Sequence, residues 1–337
     1  MREKSYQYTY GWIRILACVF VITHHCCSTM YAGSIPDSDK ETLLFIDNLL
    51  MVNNGLFFML SGKFALEFFN GNISTYYKKR INKIILPFLL VIFVRKIFYE
   101  KMEINDFLHD FFHGKITDWF VYAVIGFYLV APFFYRMVQN MSQNYRLALL
   151  LLILAYAFIN SFNECYKPPF YIGTNPFIGN LSFFFIGYLL DNIEKLKSFR
   201  WVIFFLGILG ACASIYQIVV LPGQNPSISG FCPSRIFMCM GIYVLIGWSK
   251  RKTCDIVGKI TVHIANLTYY IYLVHEIGQD LVFKNIPFPI TNVYIGLLWT
   301  AFATIIVSIL LAEVLNILIT LPFLHRHKQK SIESHLQ

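Results

Sequence analysis

The sequence predicts an all-α, polytopic membrane protein with about ten transmembrane helices and both termini in the cytoplasm. Three observations lead there. The 337 residues are 57% hydrophobic and 14% charged, with 33 Phe and 21 Tyr, far from the composition of a soluble domain. The apolar runs are helix-length and nearly continuous, without the roughly ten-residue alternation of an outer-membrane barrel. Lys and Arg recur in alternate connections, as they do in loops held on the cytoplasmic side.

Apolar runs of about 17 to 25 residues between polar breaks place the spans at 10–30, 47–69, 84–100, 117–137, 146–162, 176–192, 201–221, 232–248, 264–283 and 293–321. The first is too long for a signal-peptide core and has no small-residue cleavage site, so it is read as a retained helix. The last is long enough to tilt or break. Residues 1–325 form one integral membrane domain, followed by a short basic cytoplasmic tail at 326–337.

Orientation follows from the basic residues. Arg2 and Lys4, the group Lys78, Lys79, Arg80 and Lys83, Arg136 and Arg146, then Lys195, Lys197 and Arg200 fall on one side of the ten-span arrangement. So do Lys250, Arg251, Lys252 and Lys259, and the tail's Arg326, Lys328 and Lys330. The net charge of +9 is therefore a topology signal, and no nucleic-acid partner is expected. Arg95, Lys96 and Arg235 run against the rule, as interface anchors or cavity residues.

Ionisable residues inside spans are expensive and mark candidate sites. The first span carries Arg14 and the pair His24 and His25. Eleven residues at about 100° each are close to three turns, so Arg14 and His25 share a face roughly 16 Å apart along the axis, while His24 points away. Either this stripe serves two depths of one site, or Arg14 snorkels to the interface and His25 makes a structural hydrogen bond. The HHCC run at 24–27 does not converge on one ion, because successive helical residues diverge, and no metal is expected. Of the eight Cys, Cys18, Cys26, Cys27, Cys212 and Cys239 lie in apolar segments and read as small apolar residues. Arg14, Lys63, Arg80 and Lys83 come to a common cytoplasmic level and form a set that could meet an anionic ligand; topology signal and lipid-headgroup contact is the other reading. His275, followed by Glu276, stands with His25 toward the outer half, as a proton-handling group or an interhelical hydrogen bond.

The pattern resembles the acyltransferase 3 family of integral membrane acyltransferases, many of which modify bacterial surface glycans. The resemblance runs nearly the whole chain. Arg, ten residues, then His is met by Arg14 and His25; FF-x-x-SG by Phe57, Phe58, Ser61 and Gly62; the basic stretch ending in Pro by YYKKRINKIILP, with Arg80, Lys83 and Pro87. The aromatic fourth span, DWFVYAVIGFYLVAP, carries Trp119, Tyr122, Tyr128 and Pro132, and the late Y-x-x-YL-x-H segment is similar to TYYIYLVH, ending at His275. Two departures stand out. Lys83 replaces the second Arg of Arg-x-x-Arg, losing a bidentate fork, and Lys63 occupies a position more often aromatic. The extracytoplasmic hydrolase-like domain of some relatives is not expected here.

The resemblance implies a multi-pass protein of the bacterial cytoplasmic membrane, with acetyl-CoA or another acyl-CoA as donor and a hydroxyl of a surface or lipid-linked glycan as acceptor. Arg14, Lys63, Arg80 and Lys83 would bind the donor's phosphates. His25 would act as general base or transient acyl carrier, with His275 in support. The lipid bilayer is the obligatory surrounding, and a second copy or polysaccharide-assembly proteins are possible partners. The competing class is an exporter of a lipid-linked glycan or surface polysaccharide, which ten spans and intramembrane charges would also suit, although no paired interrupted spans signal an inverted repeat. A structural scaffold is the third, and it would tolerate changes at Arg14 and His25.

Overall fold

The computed structural model describes residues 2–33, 35–69, 71–113, 118–166, 179–220, 232–249, 255–285 and 292–335. Among these residues the only regular structure is helical: α1 (Arg2–Ala32), α2 (Asp37–Leu50), α3 (Asn53–Glu67), α4 (Ile73–Arg80), α5 (Leu86–Phe93), α6 (Ile104–Phe112), α7 (Trp119–Gln139) and α8 (Gln143–Tyr166) in the first half of the chain. Then come α9 (Asn180–Asn192), α10 (Glu194–Ser198), α11 (Arg200–Val220), α12 (Pro233–Gly247), α13 (Asp255–Asn285) and α14 (Val293–His335). Wide π-helical turns join α4 to α5 at Ile81–Ile85 and follow α5 at Val94–Tyr99.

Six described helical stretches are long and apolar enough to cross a membrane: Tyr8–Ala32, Asp37–Glu67, Trp119–Gln139, Gln143–Ser161, Arg200–Gln217 and Val293–Thr320. With the exposed apolar faces of α8, α11 and α14 (Leu151, Phe158, Phe205, Leu209, Leu298, Phe302, Leu310), they make this an all-α, multi-pass membrane protein. The described parts of the ten sequence-read stretches are mainly helical, with differences in detail. The second is two helices, α2 and α3, meeting at a turn at Met51 and Val52. The third is short α5 between two π turns, and the described part of the sixth is the 13-residue α9. The tenth does not break; α14 continues through the backbone of the basic segment read as a separate tail.

The hub is α1, which packs on α2, α3, α12, α13 and α14. Its buried residues Tyr10, Ile13, Ala17, Ile22, Cys26 and Met30 recur about every third to fifth residue, so several neighbours share one rod. Beside it, α3 and α9 are buried almost all round, with Ser182 to Leu190 of α9 fully enclosed. Their backbones touch. A Cβ at Gly62 would lie 1.7 Å from the Phe184 carbonyl oxygen, and one at Gly187 would lie 1.9 Å from that of Met59. Small residues at a helix crossing are how membrane helices gain close packing where lipid removes the hydrophobic driving force.

The first prediction follows from that crossing. G62A should destabilise the protein by about 3 kcal/mol, because backbone must move to admit the methyl group. G126A, whose added Cβ meets nothing within 4 Å, should be neutral or stabilising. Thermal unfolding in detergent checks both, and equal effects would contradict the crossing.

Candidate functional site

The sequence brings basic residues to the interior at three places. Arg14 is one turn beyond Tyr10 on the hub helix. Arg80 ends α4, and Lys83 sits in the π turn that follows. That turn has a local cause: Pro87 has no N–H to return to Lys83, and Leu86 N–H bonds instead to the Ile81 carbonyl, five residues back. All three cations line one cavity of about 550 Å³, within the usual range for a small-molecule site.

The cavity's lining is both polar and aromatic. Asn316 and Thr320 of α14 and Asn266 of α13 add neutral polar groups to its lining, and Phe57, Phe120 and Tyr272 add aromatic surface, with Phe120 packed against both Phe57 and Tyr272. The Arg80 guanidinium stacks between Tyr76 and Tyr128, 4.8 and 4.5 Å from the ring centroids, and its Nε is buried without a hydrogen-bond partner. Arg14 lies 4.7 Å over Phe64. Among the described residues, none of Arg14, Arg80 and Lys83 forms an ion pair with a carboxylate. Three uncompensated cations on a partly dry cavity suit a polyanion such as a phosphate ester.

The histidines form a second cluster beyond Tyr272. Rings of His25 (α1) and His275 (α13) are 4.9 Å apart, and Tyr272, which lines the cavity, contacts His275 at 5.3 Å. His275 Nδ1 bonds to the Tyr272 carbonyl, which leaves Nε2 as the lone-pair nitrogen, buried and without a partner. His24 turns to α2 and pairs with Asp47 at 2.5 Å, while its ring stays 5.1 Å from that of His25. Gln279 fixes α13 against this part of α1 by donating to the His25 carbonyl at 2.9 Å and to Thr29 Oγ1 at 2.6 Å. His25, His275 and Glu276 each offer one ligand atom, all within 4.8 Å of one another, but a Glu276 oxygen is already held 2.6 Å from Arg95. That set suits proton handling better than a metal ion.

Lys63 departs from the sequence reading and does not line the cavity. Its ammonium is 2.5 Å from Glu67 and 2.9 Å from Asp191, with the lysine side chain 3% exposed. Helical rotation explains this: Lys63 is two residues past Ser61, which does face the cavity, and so points about 200° away. Asp191 also accepts from Tyr10 and Tyr243, at 2.7 Å each, and from the Trp248 indole at 2.6 Å. The residues running against the charge rule also turn inward. Arg235 is buried with Nη2 3.5 Å from Asn48, and Arg95 and Lys96 pair with carboxylates.

Sequence reasoning missed the polar wall of Asn266, Asn316 and Thr320. The signal was available, since Asn316 and Thr320 stand one turn apart inside a long apolar run. The motif residues divide between two tasks. Phe57 and Ser61 face the cavity, while Gly62 makes the contact with α9.

Comparison with known proteins gives a family model described as an acyltransferase domain, matching residues 8–316. The chain also aligns over 292 residues, at 21% identity, with proteins of Staphylococcus aureus strains MRSA252 and MSSA476, each named "Probable poly-beta-1,6-N-acetyl-D-glucosamine export protein". Each alignment covers 81% of this chain and 82% of the relative. No solved structure matches the chain.

The two kinds of cation should respond differently to neutral replacement. K63M leaves two carboxylates at a buried site without their counter-charge and should cost on the order of 3–5 kcal/mol in detergent unfolding. R14Q removes a cation with no carboxylate partner and should cost much less; the reverse order would undo the distinction.

Proposed function

The chain belongs to the acyltransferase 3 family, and from that premise we propose that it moves an acyl group, most simply acetyl, from cytoplasmic acyl-CoA to a hydroxyl of a surface or lipid-linked glycan. One observation carries the reading. Among the described residues, a cavity with three cations that pair with no carboxylate also reaches Tyr272, whose ring touches His275, while His25 and His275 themselves stand outside its lining. In this proposal about ten spans cross the bacterial cytoplasmic membrane, with both termini and the cationic end of the cavity on the cytoplasmic side, as the loop charges support.

Arg14, Arg80 and Lys83 hold the donor's phosphates; Lys63 is reassigned to packing. The aromatic part of the cavity excludes water from the thioester, which would otherwise hydrolyse. His25 takes the proton of the acceptor hydroxyl as its oxygen attacks the thioester carbonyl. The carbon–sulfur bond breaks, and the proton leaves with the thiolate. In the stepwise variant the imidazole of His25 carries the acyl group between donor and acceptor. His275 packs against His25, and its unpartnered Nε2 is the supporting proton acceptor beside the base.

The name of the staphylococcal relatives favours a second reading, export of a polysaccharide. The two differ in their need for CoA. An exporter of finished polymer has no use for cations set to hold a donor's phosphates.

Two measurements test the proposal. Inverted membrane vesicles given radiolabelled acetyl-CoA should label endogenous glycan, and H25A should abolish labelling while the protein stays in the membrane; label retained in H25A would overturn its role. R80Q should raise KM for acetyl-CoA on the order of tenfold, the effect of losing one charge-assisted hydrogen bond worth ~1.5 kcal/mol. Absence of CoA binding in wild type would favour the exporter.

A further inference from the structure

Arg95 lies in a membrane-length stretch, where a lone guanidinium is costly, yet its side chain is only 11% exposed. It begins the last π turn of the third sequence-read span: the Glu100 N–H bonds back five residues to the Arg95 carbonyl. Three carboxylates surround it. Nη1 is 2.6 Å from Glu276 and 3.8 Å from Asp118, and Nε is 3.2 Å from Glu100. Lys96, 2.7 Å from the second Glu100 oxygen, draws that carboxylate outward, and Glu276 is left as the closest partner of Arg95. Glu276 in turn follows His275 directly and brings an oxygen within 4.8 Å of ligand nitrogens of both His275 and His25. The order in space is therefore Arg95, Glu276, then the histidine pair.

We propose that Arg95 and Glu276 are positioning residues of the histidine site: Arg95 holds the Glu276 carboxylate, and the held carboxylate sets the charge and orientation of His25. This rests on the acyl-transfer reading for its consequence in turnover, but the physical link to His25 stands without it. Among the described residues, other charged or titratable groups facing His25 are few. His24 lies beside it on α1 and is tied to Asp47 of α2; His275 is across from it on α13; Asp118, before α7, is reached through Arg95. The arrangement has a mechanical consequence. The ion pair joins the end of the third span to α13, so a shift of either helix moves the carboxylate relative to the base.

The test reads His25 directly. Wild type, E276Q, R95M and R95K are carbethoxylated in native membranes with diethyl pyrocarbonate over a pH series spanning the imidazole range, and the midpoint pH of His25 modification is read by mass spectrometry relative to exposed His109. Only unprotonated imidazole reacts. Glu276 without its charge no longer favours a proton on His25, and the midpoint should move to lower pH by about half a unit or more in E276Q. Glu276 without Arg95 favours that proton more strongly, and the midpoint should move to higher pH by a similar amount in R95M, with R95K in between. Mere loosening of the fold would move both midpoints the same way, toward that of an exposed imidazole, and that result, or no change in either, overturns the proposal. In the vesicle assay the same E276Q and R95M variants should lose on the order of tenfold or more in kcat, within the ~10²–10⁴ of a general base, with KM for acetyl-CoA within about twofold of wild type. If wild-type vesicles transfer no acetyl group, the acyltransferase reading fails by itself, and the opposite labelling shifts still decide the role of Arg95 and Glu276.

Discussion

A single buried carboxylate, Asp191, holds the centre of this protein in register. It accepts from Lys63 on α3, Tyr10 on α1, Tyr243 on α12 and Trp248 just beyond α12. Four partners on three other elements satisfy the charge of α9 where water cannot. Such a knot contributes little net energy compared with an apolar replacement, since its groups have lost hydration, but it tolerates no partial removal. It therefore specifies an arrangement more than it strengthens one. Tyr10 is fixed at one end of the hub helix, and Arg14, one turn on, is thereby presented to the cavity.

Two demands meet on the helices that surround the site. The α3–α9 crossing brings backbone against backbone through Gly62 and Gly187, while the neighbouring Ser61 and Phe57 leave the other face of α3 open to the cavity. Similarly, α13 gives Asn266 and Tyr272 to the cavity, His275 to the histidine pair, Glu276 to Arg95 and Gln279 to α1. A helix with 3.6 residues per turn can serve several neighbours at once only if its side chains are assigned almost residue by residue. That is why so few polar residues in the apolar spans are incidental.

The cavity's charge distribution bears on the choice between catalysis and transport. A conduit for a long neutral polymer gains nothing from cations on its wall that pair with no carboxylate. A site for a phosphorylated donor with a flexible arm gains both affinity and direction, because the charges fix one end and the aromatic surface accepts the other. The step from cavity to histidines is short, since Tyr272 lines the one and touches the other.

Local physics was legible in the sequence. Apolar run length and composition determined the all-α membrane class, and the 100° helical step determined that His25, not His24, shares a face with Arg14. What only the tertiary structure decided is which cations are spoken for. Lys63, by type and depth, resembled Arg14 and Arg80, but helical rotation turned it from the cavity into the Asp191 knot. Arg95 looked like an exception to the charge rule until Glu276, 181 residues away, appeared against it. Periodicity reports which way a side chain points along its own helix; the partner it finds there belongs to another helix, and its identity is written nowhere in the local pattern.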